Sequence, residues 1–415
     1  MKRMFASLAI TGLALTGLTA CGGNQEGGKA AGGETENVTL SVWAPQEDQA
    51  DGASWLADME KAFADAHPEY KITWKNDVVS EGDALTKVKT DPSAAADVYM
   101  FANDQLGTLV DLGAIGQLGE KELAQVKEQN DPSMVDSVTG VDGSVYGVPF
   151  TGNTWFMYYD STKITADEAK SLDAMIAKTK VSFPINNSWN LPAFYVEGAN
   201  LKFFGEKGTD ASKGIVFNDL DKATAVTNYL TKLVANPNFV SDSEGSGLAA
   251  LQSGDAAVYF SGTWDAQNVK EALGDGYAAT QLPTFKLNGE DVQMKSFAGS
   301  KAIAYNPNAS NVKAAAQFAA FLGSTQAQKA HYEARGIVPT DKSLATAVAD
   351  DDFAAQAQIA TISNTSIVQP TIPAMNGWWD PAKAFGDGLL NKEITESNSA
   401  EKMKAWADQT AAMVG

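Results

Sequence analysis

Hydrophobic and polar positions follow two alternating patterns along this chain. From Val38 onward, short β-branched runs such as "VTLSVWA", "YKITWKN" and "ADVYMF" are separated by longer amphipathic runs such as "SWLADMEKAFADAHP" and "EGDALTKVKTD". Strand-length segments that alternate with helix-length segments are typical of βαβ units and a parallel sheet. The pattern therefore predicts an α/β lobe at the start of the folded body.

A second set of similar elements follows. The runs "GVPFTGNTWFMYYD", "KVSFPINNSW" and "DAAVYFSGTW" indicate strands, whereas "TAVTNYLTKLVAN" and the segment from "DDFAAQAQIATIS" through "AEKMKAWADQTAAMV" indicate helices. At 415 residues the chain exceeds the size at which one hydrophobic core usually stops growing. We therefore expect two α/β domains, and the absence of a fixed-period repeat argues against a solenoid or propeller.

The N-terminal segment differs from the rest of the chain. In "MKRMFASLAITGLALTGLTACGG" two basic residues precede a short apolar stretch and small residues, which is typical of a secretory signal. The ending "LTAC" resembles a bacterial lipobox, so residues 1–20 are predicted to be a lipoprotein signal peptide, with Cys21 carrying the lipid. Cys21 is the only cysteine, which excludes a disulfide within the chain. The Gly-rich residues 21–37 are predicted to form a flexible tether.

The charge of the chain narrows the class of ligand. Its formal net charge is −20, and removal of the basic leader makes the remainder more negative. Such a body repels nucleic acid and anionic membrane surfaces, and it disfavours phosphate or carboxylate ligands. We therefore expect a neutral ligand and no nucleic-acid partner.

Large aromatic residues recur where predicted strands end. Trp43, Phe101, Trp189 and Trp264 all occupy such positions, beside polar loop residues that include Gln46, Asp48, Asn103 and Asp104. In open α/β sheets, ligands bind beyond the carboxyl ends of the strands. Indole and phenyl faces stack on the C–H faces of sugar rings, while amides and carboxylates bond their hydroxyls. The pattern predicts a sugar-binding crevice, although each aromatic could instead fill a core.

Sequence motifs give little support for catalysis. The two histidines, His67 and His331, lie in helical patterns, and no GxSxG, HExxH or GxxxxGK[ST] run is present. A carboxylate pair of the glycosidase kind stays open, because the chain has 51 acidic residues. Acidic runs such as "VADDDF" lack the spacing of a calcium loop. We expect no enzyme activity, no cofactor and no bound metal.

Several ordered motifs resemble one known family. "LSVWA", "DVYMFANDQLGTLVDLGAI", "GSVYGVPFTGNTWFMYYD", "LQSGDAAVYFSGTWDAQNV", "SFAGSKAIAYNP" and "IPAMNGWWDPA" occur in the order and spacing of the solute-binding proteins of bacterial ABC importers, in the maltose/maltodextrin-binding branch. The resemblance covers essentially all of residues 38–415. It implies a periplasmic-binding-protein-like α/β fold, with two lobes joined by a multi-crossover hinge that closes over the ligand.

The resemblance also implies where each lobe begins and ends. The chain would cross between lobes near residues 151–154, near residues 297–299 and near Leu344. The N-lobe would then comprise residues 38–150 and 299–343, and the C-lobe residues 151–298 and 344–415.

Matching motifs carry family roles onto individual residues. Phe101 stands where a stacking tryptophan is common, Asp104 matches a hydroxyl-binding aspartate, and Gln105 and Asn153 stand where charged residues are common. Trp189 falls on a stacking tyrosine and Trp264 matches a stacking tryptophan. In the Trp378–Trp379 doublet the alignment puts Trp379 on the ligand and leaves Trp378 to pack against its own lobe. The full predicted set is Trp43, Gln46, Asp48, Phe101, Asn103, Asp104, Gln105, Asn153, Trp189, Trp264 and Trp379.

The resemblance implies a lipid-anchored receptor, held outside the cytoplasmic membrane through Cys21. It would act as a monomer that delivers neutral oligosaccharides, above all malto-oligosaccharides, to the transmembrane subunits of a permease. Galacto-oligosaccharides and cyclodextrins are alternative ligands of the same class. A secreted glycan-active enzyme and a surface adhesin are alternatives from other classes.

Overall fold

The computed structural model describes residues 35–49, 54–206, 208–242 and 245–412. Fifteen strands are formed in this part of the chain: β1 Glu36–Ala44, β2 Tyr70–Val78, β3 Val98–Ala102, β4 Val148–Asn153, β5 Phe156–Asp160, β6 Val181–Phe183, β7 Leu201–Phe203, β8 Ile215–Phe217, β9 Phe239–Ser241, β10 Val258–Ser261, β11 Tyr277–Thr280, β12 Thr284–Leu287, β13 Glu290–Gln293, β14 Ser296–Tyr305 and β15 Ser366–Val368.

Fifteen α-helices accompany these strands: α1 Trp55–Ala66, α2 Ala84–Thr90, α3 Leu106–Asp111, α4 Glu120–Gln129, α5 Pro132–Asp136, α6 Leu172–Lys178, α7 Tyr195–Gly198, α8 Leu220–Ala235, α9 Ser246–Gln252, α10 Ala266–Leu273, α11 Val312–Leu322, α12 Thr325–Arg335, α13 Phe353–Asn364, α14 Asn376–Leu390 and α15 Ser399–Ala411. Helix α1 begins at the Ser54 cap, whose side chain accepts a hydrogen bond from the Ala57 amide.

The first sheet has the order β15-β14-β3-β1-β2, with β4 also paired to β14. Strands β1, β2 and β3 run parallel, as their βαβ pattern predicts. The expectation of a parallel sheet is wrong at β14, which runs antiparallel to both β3 and β4, although it pairs in parallel with β15. Strand β14 arrives late in the chain from the second lobe, so no short crossover helix sets its direction.

The second sheet has the order β11-β5-β10-β6-β9 and belongs to the second lobe. Strand β10 pairs in parallel with β6 and antiparallel with β5. Two small antiparallel pairs, β7 with β8 and β12 with β13, lie outside this sheet. The fold is thus α/β with two lobes, as predicted.

Separate hydrophobic cores support the two lobes. In the first lobe, α1 and α11 pack on one face of the sheet through Phe63 and Phe318, whereas Leu106 and Leu109 of α3 lie in the core on the other face. In the second lobe, one large core joins Phe183 and Phe260 to the C-terminal helices through Trp406. Each lobe can therefore keep its structure while the two move relative to each other.

Three segments of the chain pass between these cores. One joins β4 to β5, a second lies within β14, where Phe297 belongs to the second lobe's core and Ile303 to a core of the first lobe, and a third lies between α12 and α13. At the first two, the Thr154 hydroxyl donates to the Phe297 carbonyl oxygen at 2.8 Å and lies 2.8 Å from the Ser296 hydroxyl. These bonds tie the first two segments into one hinge.

The signal peptide, most of the tether and Cys21 lie outside the described residues. None of the helices in the described ranges combines the length and the hydrophobicity of a transmembrane span.

Candidate ligand-binding site

A cavity of about 600 Å³ lies between the two lobes. This volume is within the range of small-molecule binding sites. Residues from both lobes and from the hinge line it: Ser80, Glu81, Gly82, Ala102, Asp104, Gln105, Asn153, Trp189, Trp264, Lys301, Gln369 and Trp379. Six of the eleven residues predicted from the sequence, namely Asp104, Gln105, Asn153, Trp189, Trp264 and Trp379, are thus brought together.

Three tryptophans from distant segments form the second lobe's side of this cavity. Trp189 follows β6, and its indole N–H donates to the Gln369 side-chain oxygen at 2.9 Å, which fixes the ring. Trp264 follows β10 and has its ring centroid 6.1 Å from that of Trp189, with 32° between the planes. Trp264 is 49% exposed, which is unusual for so large an apolar residue. Together the indoles offer an extended apolar surface.

Gly262 gives Trp264 its position. A β-carbon added at Gly262 would lie 2.1 Å from the Trp264 ring, closer than any side chain allows. The missing side chain lets the indole lie against the backbone just beyond β10, where the Gly262 carbonyl also accepts a hydrogen bond from the Tyr158 hydroxyl at 2.8 Å. This explains the use of glycine in the "SGTW" run.

The structure places the two indoles of the tryptophan doublet in different surroundings. Trp378 is fully buried, its N–H donates to the Ser188 carbonyl at 2.9 Å, and its ring contacts Phe203 and Trp406. Trp379 is only partly buried and lines the cavity. Neighbouring residues of a helix point in different directions, so α14 sends one indole into the core and the other towards the cavity.

Asp104 faces these tryptophans from the first lobe. Burial raises the pKa of its carboxyl to about 6, although the backbone amides of Asp104 and Gln105 oppose this rise. A carboxylate in this position can accept hydrogen bonds from sugar hydroxyls. The opposing surfaces therefore combine an apolar platform with a strong hydrogen-bond acceptor.

The Gln105 amide is engaged by the protein itself. Its Nε2 donates to the carbonyl oxygens of Glu81 and Gly82, each at 2.9 Å, and its Oε1 accepts from the Leu85 amide at 2.9 Å. Gln105 lines the cavity, but the expectation that its amide bonds ligand hydroxyls is wrong for the two N–H donors. Both of them are used within the protein, and only the side-chain oxygen can accept one more hydrogen bond. The structural effect of Gln105 is to hold the loop at residues 80–82 against the cavity.

Next to the cavity the lobes contact each other directly. The Gly107 amide in α3 donates to the Thr371 carbonyl oxygen at 2.9 Å. The hydroxyl of Thr108, the next residue of α3, accepts a hydrogen bond from the Asn376 side-chain amide at 3.5 Å. Ile372 and Met375, on either side of Pro373, belong to the second lobe's core, so this contact joins the two lobes.

Two predicted aromatics are not at the site, and these predictions are corrected. Phe101 is fully buried in β3 and packs in the first lobe's core, where its ring also lies against Gly147. Trp43 is 9% exposed and tilts against Tyr99 in the same core. Both lie within strands whose two faces are covered, so a position near a strand end does not expose them.

Three predicted polar residues also lie elsewhere. Asp48 is 2% exposed and its carboxylate lies 2.8 Å from His331 Nε2, because the turn after β1 directs it inward. Asn103 is fully buried, and its side-chain oxygen accepts from the Ser300 amide at 3.2 Å. Gln46 is exposed and lines a neighbouring cavity of about 480 Å³, which shares Ser80 with the site.

Charged residues that the sequence analysis missed include Glu81 and Lys301, which form an ion pair in the cavity at 3.4 Å. Gln369, which holds Trp189, was also missed. Glu81 lies in a helix-like run and Lys301 in a strand-like run, and neither run carries a binding motif. Only the fold brings these distant segments together.

Comparisons with known proteins agree with this architecture. A family model described as bacterial extracellular solute-binding protein matches residues 58–361. The chain is 28% identical over 354 residues to a maltooligosaccharide ABC transporter solute-binding lipoprotein of Streptococcus pneumoniae, covering 80% of this chain and 79% of that protein. It is 26% identical over 326 residues to maltodextrin-binding protein MdxE of Bacillus subtilis, covering 74% and 75%.

Solved structures are similar over nearly the whole chain. One described as being with acarbose is 46% identical, with a TM-score of 0.86, covering 91% of this chain and 99% of the other. Maltodextrin binding protein MalE1 from L. casei, without ligand, is 28% identical with a TM-score of 0.78, covering 90% and 98%.

Proposed function

Given that this chain belongs to the bacterial extracellular solute-binding protein family, we propose that it captures neutral malto-oligosaccharides and delivers them to the permease of an ABC importer. The convergence of Trp189, Trp264 and Trp379 on one cavity opposite Asp104 carries this proposal. Stacking platforms facing a hydrogen-bond acceptor suit a ligand with apolar faces and hydroxyl edges. The names of the similar proteins support the same sugar class.

Isothermal titration of the purified protein tests this function. We expect maltotriose and maltotetraose to bind at one site per chain, and galacto-oligosaccharides of equal length to bind more weakly. Binding of galacto-oligosaccharides or cyclodextrins in place of linear glucans would transfer the proposal to those ligands. Failure of every oligosaccharide to bind would overturn it.

We propose further that the sugar is released unaltered. The family match and the names of the relatives support a binding role, and the cavity places Asp104 and Glu81 on the same lobe. Glycosidases need two carboxylates that flank the scissile bond. Incubation with labelled maltotetraose should therefore give no shorter products, and their appearance would contradict the receptor role.

We also propose that the protein is a monomer held outside the cytoplasmic membrane by a lipid on Cys21. The description of the Streptococcus pneumoniae relative as a lipoprotein supports this anchor. Metabolic labelling with a palmitate analogue should mark the wild type and leave Cys21→Ser unmarked. Equal labelling of the two would contradict the anchor.

The lobe boundaries given by the resemblance, 38–150 with 299–343 and 151–298 with 344–415, stay a prediction. We propose that the lobes close about the hinge between them when sugar binds. A decrease in radius of gyration on adding maltotetraose would support closure.

A further inference from the structure

Lys301 is an unusual residue for the interior of a sheet. The five residues that precede it in β14, from Ser296 to Ser300, are all buried, and Lys301 is the first position at which this strand carries a charge. The pairing of β14 with β4 shifts register between Lys301 and Ala302. Such an irregularity changes the direction of a side chain, and Lys301 lines the cavity.

The partner of Lys301 is Glu81, at a distance of 3.4 Å between Nζ and Oε1. Only 26% of the lysine side chain and 11% of the glutamate side chain are exposed. A direct charge-assisted hydrogen bond is shorter, about 2.7–2.9 Å. The two charges thus attract each other without forming a close bond.

Both charged groups retain hydrogen-bonding capacity. An ammonium has three donors and a carboxylate has about four acceptor sites. Across the described part of the chain, neither group makes a hydrogen bond to another side chain or to the backbone beyond this ion pair. Partly buried charges with incomplete partners are costly, so a ligand that completes their hydrogen bonds would gain binding energy.

The backbone of the loop that carries Glu81 is also held in place before any ligand arrives. Gln105 donates to the carbonyl oxygens of Glu81 and Gly82, and the Ala102 amide donates to the Glu81 carbonyl oxygen at 3.2 Å. The loop is thereby fixed against the end of β3. Preorganised groups lose less freedom on binding, which favours affinity.

We propose that Lys301 and Glu81 act as a donor and acceptor pair that binds neighbouring hydroxyls of one sugar ring. This inference rests on the proposed oligosaccharide function. Each hydroxyl both donates and accepts, so Lys301 donates to one hydroxyl while Glu81 accepts from the same or the adjacent one. Lys301 is the only basic residue among the described residues that line the cavity, so the cavity has no other cation for this role.

The Lys301 and Glu81 pair would also make binding depend on the orientation of the sugar hydroxyls. A fixed donor and acceptor favour two hydroxyls of defined relative orientation, and an epimer with one hydroxyl reversed leaves one charged group without a partner. An unpaired group of this kind costs more than a lost contact. The pair is therefore expected to discriminate between sugar epimers that differ at either of these two hydroxyls.

The test uses Lys301→Met, which keeps the apolar stem, and Glu81→Gln, which removes the charge. We expect each to weaken maltotetraose binding on the order of 10- to 100-fold in calorimetric titration. The double variant should lose less than the product of the two single losses, because the residues act together. Lys301→Arg should retain more affinity than Lys301→Met.

Lys163→Met is the matched control. Its partner Asp160 is as buried as Glu81, with 11% of its side chain exposed, and the pair lies 3.1 Å apart outside the cavity. This variant should bind maltotetraose like the wild type. Circular dichroism melting of all variants checks that they fold.

Three results would overturn the inference. Wild-type binding with unchanged affinity in Lys301→Met and Glu81→Gln would refute it and leave the proposed function intact. If Lys301→Met no longer binds a phosphorylated maltose that the wild type binds, yet still binds maltotetraose with wild-type affinity, Lys301 recognises an anion and not a sugar hydroxyl. Absence of any oligosaccharide binding by the wild type would overturn the proposed function and this inference with it.

Discussion

The contact between the lobes at Gly107 gives a sharp prediction. A β-carbon at this position would lie 2.4 Å from the Thr371 carbonyl oxygen and 2.7 Å from Pro373 Cδ. Ordinary contacts begin at 3.4 Å, so Gly107→Ala requires a displacement of about 1 Å. A carbonyl oxygen and a proline ring cannot rotate away, so the lobes themselves must separate.

The cost of this separation falls on the closed form. Overpacking costs about 1 to 3 kcal/mol and the lost Gly107 amide bond about 0.5 to 1.5 kcal/mol. In the proposed open, ligand-free form the lobes lie apart, so the clash is absent. With ligand, it must either bear the clash or lose contacts across the cavity. A penalty of about 2 to 4 kcal/mol lowers affinity by about 30- to 700-fold.

Calorimetric titration with maltotetraose and small-angle scattering measure the two consequences of Gly107→Ala. We expect weaker binding and, with maltotetraose present, a larger radius of gyration than in the wild type, with little change in melting temperature because neither core is altered. Gly388→Ala in α14 is the control, since its β-carbon would meet only the flexible Ile394 side chain at 3.1 Å. Affinity within twofold of wild type, with unchanged scattering, would refute the reasoning.

Three further predictions follow from single side chains. Trp264→Ala and Trp379→Ala should each weaken maltotetraose binding by about 1 to 3 kcal/mol without unfolding the protein, and unchanged affinity in both would contradict their place at the site. Trp378→Ala should instead lower the free energy of unfolding by about 3 to 5 kcal/mol, measured with urea, because the indole is fully buried. Asp104 should make stability fall as pH rises. Its raised pKa, about 6 against 3.8, means that the folded protein holds this proton more tightly than the unfolded chain. The resulting stability, up to about 3 kcal/mol, is full below about pH 4 and lost above about pH 6, and Asp104→Asn should abolish this loss. An identical pH profile in that variant would contradict the assignment.

Sequence reasoning located the second lobe's side of the cavity better than the first lobe's. Trp189 and Trp264 follow their strands and lie in loops, so a position beyond a strand end was informative. Trp43 and Phe101 lie inside strands covered on both faces, and periodicity cannot tell which large apolar residues of such a strand face a cavity.

The missed residues depend on long-range pairing. Lys301 reaches the cavity because β14 returns antiparallel from the second lobe and changes register at that position. Gln105 turned out to hold the Glu81 loop, which no property of "NDQLG" indicates. Local pattern predicts elements and their order, but side-chain direction at a sheet irregularity needs the neighbouring strands.

A crystal structure of the protein grown with maltotetraose would show whether this cavity is the sugar-binding site. We expect sugar rings in the cavity between the lobes, stacked on Trp264 and Trp379, with hydroxyls bonded to Asp104 and to the Lys301 and Glu81 pair. Sugar bound elsewhere on the protein, with this cavity empty, would refute the proposed site.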